Sequence, residues 1–104
     1  MRGDVYELPA RRKARGHEQQ GKRHGVVVQS DLLPLSTWLI APTSVSARPA
    51  SFRPIISISG IETHLLVEQT AAVDPQRLGT LIAHLTRAEL DAVDDALRIV
   101  LSLG

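Results

Sequence analysis

The longest unbroken apolar run in this chain is Trp38 to Ala41. A helix that crosses a bilayer needs about 20 apolar residues, and a signal-peptide core needs roughly 7 to 15, so neither is expected. The apolar residues instead fall in short clusters between Pro, Gly and Ser, which is the pattern of short strands. Asp4 to Leu8 reads as one strand, ended by Pro9. Val26 to Ser30 reads as a buried strand, and Thr37 to Ala41 as another, closed by Pro42. Pro42, Pro49 and Pro54 mark residues 42–54 as a loop. Ile56 and Ile58 alternate with Ser57 and Ser59, the period of a half-buried strand. Ser59-Gly60 signals a turn, with a return strand expected over Leu65 to Glu68. Ala71 to Val73 is short and precedes a turn at Pro75.

Only the C-terminus changes period. Thr86-Arg87-Ala88-Glu89 fits a capping box, with Leu85 and Leu90 placed as a hydrophobic staple. Leu90, Val93, Leu97, Val100 and Leu101 then share one helical face, with Asp91, Asp94, Asp95 and Arg98 on the other. Asp94 and Arg98 have the spacing of an i, i+4 pair. The expectation is about five short strands in a small curved sheet or barrel, two exposed loops, and one terminal amphipathic helix.

A chain of 104 residues is one domain's worth, so residues 1–104 are expected to form one unit. With 43% hydrophobic and 22% charged residues the composition is globular rather than disordered. The chain has no cysteine, which excludes disulfides, thiolate-bound zinc and Cys nucleophiles. The expected compartment is the cytoplasm. The net charge of +1 conceals a division. Residues 1–24 carry seven Lys and Arg against three acids, and residues 25–104 carry five Arg against eight acids. A basic N-terminal quarter attracts polyanions, nucleic acid first. Residues 10–25 are charged, punctuated by Gly16, Gly21 and Gly25, and without apolar period; loops of such length are usually functional or disordered.

Several chemistries can be set aside. His17-Glu18-Gln19-Gln20-Gly21 begins like a zinc-protease HExxH, but Gly21 stands where the second His must be. Nothing fixes the spacing of His17, Glu18 and His24, so no metal site is expected. There is no phosphate-binding glycine loop and no G-x-S-x-G elbow. Tyr6, Trp38 and Phe52 are too few for a platform that stacks several bases. Trp38 reads as core or interface, and His64 as outward-facing on a strand. His84 reads as packing ahead of the helix. Glu68-Gln69 and Asp74 with Arg77 read as structural pairs and turn caps.

Four blocks remain, in order along nearly the whole chain. They are Arg2-Gly3-Asp4-Val5-Tyr6; Gly16-His17-Glu18-Gln19-Gln20-Gly21-Lys22-Arg23 running into Val26-Val27-Val28-Gln29-Ser30-Asp31; Ala41-Pro42-Thr43-Ser44; and Leu66-Val67-Glu68-Gln69-Thr70-Ala71-Ala72-Val73-Asp74-Pro75-Gln76-Arg77-Leu78. Together they resemble the PemK/MazF toxins, the endoribonuclease halves of bacterial toxin–antitoxin pairs. The resemblance implies an SH3-like small β-barrel of the PemK/MazF/CcdB type with a C-terminal helix, assembled as a homodimer. It implies Arg23 and Thr43 as the catalytic pair, and Glu18, Gln19 and Gly21 in the loop over the substrate. One departure stands out. The family usually has Arg-Pro before the Val strand, and this chain has Arg23-His24-Gly25. The extra glycine predicts a freer loop there, with His24 drawn into the site.

The implied reaction is cleavage of single-stranded RNA, mRNA first, without metal or cofactor. A ribose 2′-hydroxyl attacks the adjacent phosphorus and a 5′-hydroxyl leaves. Arginine, with a pKa above ~12, suits charge stabilisation better than proton transfer, which leaves His17 or His24 for the proton. Arg15, Lys22, Arg48 and Arg53, with Arg11, Arg12 and Lys13, are candidates to follow the phosphates. A cognate antitoxin with an acidic tail is the implied partner. Two rivals stay open: a CcdB-like gyrase poison on the same fold, which acts through a C-terminal Trp that this chain does not carry there, and a non-catalytic nucleic-acid-binding barrel.

Overall fold

A computed structural model describes residues 1–9 and 23–104. Among the described residues, seven strands and one helix follow in order: β1 (Asp4–Leu8), β2 (Arg23–Val27), β3 (Trp38–Ser44), β4 (Ile55–Ile58), β5 (Ile61–Leu65), β6 (Ala71–Val73), β7 (Leu81–His84) and α1 (Arg87–Val100). Short 3-10 turns cover Val67–Gln69 and Pro75–Arg77. The strands form one antiparallel sheet in the order β4-β5-β3-β2-β1-β7, with β6 also on β3. The sheet curls into a half-barrel, and α1 closes it. Val93 and Ala96 of α1 join one buried cluster with Val5, Val26, Ala41, Ile56 and Leu65, which come from β1 to β5.

Local chemistry explains the elements that match expectation. β1 has the expected bounds. Ser59 and Gly60 have φ of 53° and 81° between paired Ile58 and Ile61, as a two-residue type I′ hairpin turn requires. The capping box at Thr86 is complete: Thr86 Oγ1 accepts from Glu89 N at 3.1 Å, and Glu89 Oε1 accepts from Thr86 N at 2.9 Å. The second oxygen of Glu89 accepts from Ser57 N of edge strand β4 at 2.8 Å. One carboxylate thus starts the helix and fastens it to the sheet.

Other expectations are corrected. Pro42 does not close β3. The strand runs on to Ser44, and the carbonyl of Pro42 accepts from Leu66 N at 2.9 Å. Here β3 changes partners: Ile40, Ala41 and Pro42 pair with β2, while Thr43 and Ser44 pair with β5. β2 begins at Arg23, earlier than the Val run, and the return strand is Ile61–Leu65, not Leu65 to Glu68. Leu66 and Val67 are buried in the chain's turn beneath α1 rather than in a ladder. β7 was not foreseen. The Asp94–Arg98 pair does not form. Asp94 instead holds Arg2, whose Nε donates to Val28 O at 3.0 Å, and Arg98 pairs with Asp95 at 2.8 Å. Leu101 is 58% exposed, beyond the buried face.

Candidate active site

Strands β1 and β2 flank the segment 10–22, and their last pair before it is Leu8 with Arg23. The next pair inward is Glu7 with His24, and then Tyr6 with Gly25. On the other edge of β2, Gly25 lies opposite Pro42. Gly25 is therefore not part of a freer loop. It is buried inside a strand, and a Cβ added there would lie 2.5 Å from Ile40 Cγ2 and 3.0 Å from Leu8 Cδ2. Glycine is needed for close approach, and it fixes the spacing of β2 against β3.

Thr43 follows Pro42 and is 8% exposed. Its Oγ1 donates to the His24 carbonyl at 3.3 Å, across the gap between β3 and β2. Arg23 and Thr43 thus stand on neighbouring strands, one register position apart, at the base of the 10–22 segment. Pleat alternation adds a detail. His24 is two residues before Val26, Thr43 is two after Ala41, and Val26 pairs with Ala41 in the core row. Glu7 stands two after Val5, which pairs with Val26. Glu7, His24 and Thr43 therefore share one face, at the open end of the core row. Arg23 shares the other face with Leu8.

Of the cationic candidates, Arg48 is exposed, in the loop after β3. Arg53 is engaged. Its Nε and Nη2 lie 2.9 and 2.7 Å from Glu68 Oε2, its Nη1 donates to the Arg48 carbonyl at 3.1 Å, and it lies 5.5 Å from the Phe52 ring centre. Glu68 is a structural partner as expected, and Asp74 caps its turn by accepting from Gln76 N at 2.9 Å. Arg11, Arg12, Lys13, Arg15, His17, Glu18, Gln19, Gly21 and Lys22 lie outside the described residues. Among the described residues no group of His, Asp and Glu is arranged to hold a metal ion.

The histidines differ from expectation. Both ring nitrogens of His64 are enclosed without a hydrogen-bond partner, rather than facing outward. His84 is exposed, with Nδ1 2.7 Å from Asp4 Oδ1. Burial opposes the charge on Asp4, but the His84 hydrogen bond and the Met1 amino group outweigh it and hold this carboxyl below its ordinary value. Burial, and then the charge of Asp4, push the Tyr6 hydroxyl up. Tyr6 and Trp38 meet as tilted rings 5.8 Å apart. Glu7 is the site neighbour that the sequence did not flag, since only the strand register brings it beside His24.

A family model of PemK-like, MazF-like toxins of type II toxin-antitoxin systems matches residues 1–101. The chain belongs to this family. Its relatives include a candidate toxin of Mycobacterium tuberculosis, 36% identical over 104 residues, covering 99% of this chain and 98% of the relative. Endoribonuclease EndoA of Bacillus subtilis is 34% identical over 110 residues, covering 98% and 94%. The PemK/MazF-type fold also appears in a solved structure of an endoribonuclease with its cognate antitoxin from a mycobacterial species. That likeness has a TM-score of 0.80 at 15% identity, over 100% of this chain and 96% of the other. The half-barrel with one C-terminal helix is the fold expected from the sequence. Among the described residues no helix is long and apolar enough to cross a membrane.

Proposed function

We propose that this chain is a sequence-selective endoribonuclease toxin that cleaves single-stranded RNA, mRNA first, by 2′-hydroxyl attack and without a metal. Translation is then blocked until a cognate antitoxin with an acidic tail neutralises the toxin. The toxin acts in the cytoplasm as a homodimer. The observation that carries this reading is the juxtaposition of Arg23 and Thr43 on neighbouring strands beside a basic segment. The end-to-end likeness to a relative named as an endoribonuclease supports it.

The chemistry follows from the residue types. As the 2′-oxygen closes on phosphorus, negative charge builds on the non-bridging oxygens. The Arg23 guanidinium, reaching past the start of β2 from the opposite face, offers two parallel donors to that charge, and the Thr43 hydroxyl offers a third once it turns from the His24 carbonyl. Losing one such donor costs on the order of 10²–10³ in rate. DNA has no 2′-hydroxyl and cannot be cut this way. A stacked duplex resists the in-line geometry, which favours single strands.

The test is to incubate the protein with a long single-stranded RNA in EDTA, beside Arg23→Ala and Thr43→Val, and to map the new ends. Discrete cuts with 5′-hydroxyl ends, lost or greatly slowed in both variants, are expected. Intact RNA after exhaustive incubation with folded protein refutes the reading.

A further inference from the structure

We infer that a cavity beside Trp38 is a subsite for one guanine base of the RNA strand. The strand as the source of that base rests on the endoribonuclease reading, while the cavity's fit to guanine does not. The cavity measures about 160 Å³, and its lining includes Val27, Gln29, Asp31, Leu33 and Trp38. A cavity of about 150 Å³ holds one benzene ring, and drug-sized ligands need roughly 300–1,000 Å³. The space therefore suits the edge of one planar base, with sugar and phosphate left outside.

Local structure places each wall. Arg23, Gly25 and Val27 alternate onto one face of β2, and Gly25 and Val27 pair with Pro42 and Ile40, which puts Trp38 on the same face of β3. Arg23 is four residues from Val27, or about 13 Å along the strand at ~3.4 Å per residue. A base in the cavity thus belongs to a nucleotide beyond the scissile one. Trp38 is half-buried, and its ring centre lies 5.8 Å from that of Tyr6, which braces the indole. Leu33 is 50% exposed, on a turn closed by Leu33 N donating to Ser30 O at 3.3 Å and Leu32 N donating to Ser30 Oγ at 3.1 Å. An indole and an exposed leucine are surfaces on which an unstacked base packs. One base needs only one aromatic, so the shortage that excludes a platform for several bases does not exclude this site.

The polar groups select the base. Gln29 is 9% exposed, and its Oε1 accepts from Leu39 N at 2.9 Å. That bond fixes the amide and leaves Nε2 as a donor, with no partner among the described residues and not enclosed. Asp31 Oδ1 accepts from Arg2 N at 2.6 Å, and Oδ2 has no partner among the described residues. A donor amide and a carboxylate thus meet at one cavity. Guanine presents a carbonyl acceptor, O6, followed by two donors, N1–H and N2–H₂, along its Watson–Crick edge. The amide meets O6, and the carboxylate takes both donors. Uracil has a single N–H, and adenine and cytosine set a ring-nitrogen acceptor beside their amino group, where it faces the carboxylate charge.

Trp38 is the chain's one tryptophan, so its fluorescence reports on the cavity directly. The experiment titrates the full chain with GMP, AMP, CMP and UMP. Single-stranded thymine deoxy-oligonucleotides follow, with one central deoxyguanosine or none, neither of which can be cut by 2′-hydroxyl attack. Saturable quenching by GMP is expected, with the other three about 5- to 150-fold weaker, the range of one bidentate base contact. The guanine-bearing strand should quench likewise and bind more tightly than the all-thymine strand. Asp31→Asn keeps an acceptor for Arg2 N but replaces the carboxylate, and should abolish the preference for GMP with Tm unchanged. Trp38→Leu, followed by equilibrium dialysis, should weaken GMP by a similar factor. GMP binding with no gain for the guanine-bearing strand overturns the strand as source and gives the cavity to a free guanine nucleotide. Equal binding of all four nucleotides, no saturable quenching, or an unchanged preference in Asp31→Asn overturns the subsite, and RNA cleavage by the same preparation then leaves the nuclease reading standing. Selective GMP binding without any RNA cleavage does the reverse.

Discussion

Gly25→Ala adds one methyl group to β2, and the structure gives its cost. The new Cβ would lie 2.5 Å from Ile40 Cγ2 and 3.0 Å from Leu8 Cδ2. Carbon atoms prefer about 3.5–4.0 Å, so the first contact is short by roughly 1 Å. Ile40 cannot easily yield, being 2% exposed and β-branched, with a stiff χ1. Overpacking of this kind costs about 1–3 kcal/mol. A contact this short places the overpacking at about 2–2.5 kcal/mol within that range, and alanine recovers about 0.5–1 kcal/mol of the backbone entropy that glycine loses in a strand, so the net loss is about 1–2 kcal/mol. That corresponds to a fall in Tm of roughly 4–16 °C for a chain of this size. Ile40→Ala alone opens a cavity and costs about 2–5 kcal/mol. In the double variant the new methyl occupies part of that cavity, so the pair should be less destabilised than the sum by about 1–2 kcal/mol. Urea unfolding followed by circular dichroism reads all four corners of the cycle, and an unchanged m-value keeps the comparison valid. Gly25→Ala within ~0.5 kcal/mol of wild type, or a cycle additive to within about 0.3–0.5 kcal/mol, refutes the close-packing account. Because β2 carries Arg23 and His24, a strand displaced by a fraction of an ångström should also lose cleavage rate more steeply than stability.

Glu89→Ala removes the back-bond of the capping box and the acceptor for Ser57 N together, and should cost about 2–3 kcal/mol in the same unfolding assay. Asp91→Ala, on the exposed side of α1, should stay within ~0.5 kcal/mol. Asp4 has a carboxyl pKa lowered by folding, so its contribution is fully present above the ordinary value of 3.8 and is lost as pH falls through the lower folded value. Asp4→Asn should therefore flatten the acid side of a stability-against-pH curve and leave its slope above about pH 5 unchanged. Arg53→Met leaves Glu68, one of whose oxygens already has no partner, without its donors, and should cost about 1–3 kcal/mol of stability. Arg48→Ala should leave stability alone and weaken RNA binding, lowering the salt slope by about 0.7, as expected for one phosphate contact on a single strand.

What the sequence discloses here is what short-range chemistry decides. The capping box, the Ser59-Gly60 turn and β1 depend on a few neighbouring residues, and all were readable. Pro42 looks like a strand terminus in the sequence, but a missing N–H ends a strand only where a partner needs it. Here the carbonyl side carries the bond to Leu66, and the strand continues. β5 starts earlier than its apolar residues suggest, for a related reason. Ile61 is 62% exposed, so the strand's alternation starts out of phase, while Leu66 and Val67 are apolar for the sake of α1. At the site, Arg23 and Thr43 were carried by motif, and their neighbouring strands follow from register. That Glu7 stands beside His24 could not be read, because segment 10–22 separates them and only the pairing of β1 with β2 brings them together. The same holds for Arg53, whose charge suggested phosphate and whose guanidinium is held by Glu68.

The exchange of partners along β3 bears on how this molecule opens. Ile40 lies between β2 and β6, and two residues later Pro42 and Thr43 are held by β2 on one side and by β5 and Leu66 on the other. A strand bonded along both edges is released only when both halves of the sheet part. Its amide protons should therefore exchange with solvent near the rate set by global unfolding, while the exposed turn at Ser59-Gly60 exchanges through local fraying. Thr43 would then keep its place through every fluctuation short of complete unfolding, and the surrounding loops could breathe without carrying it along.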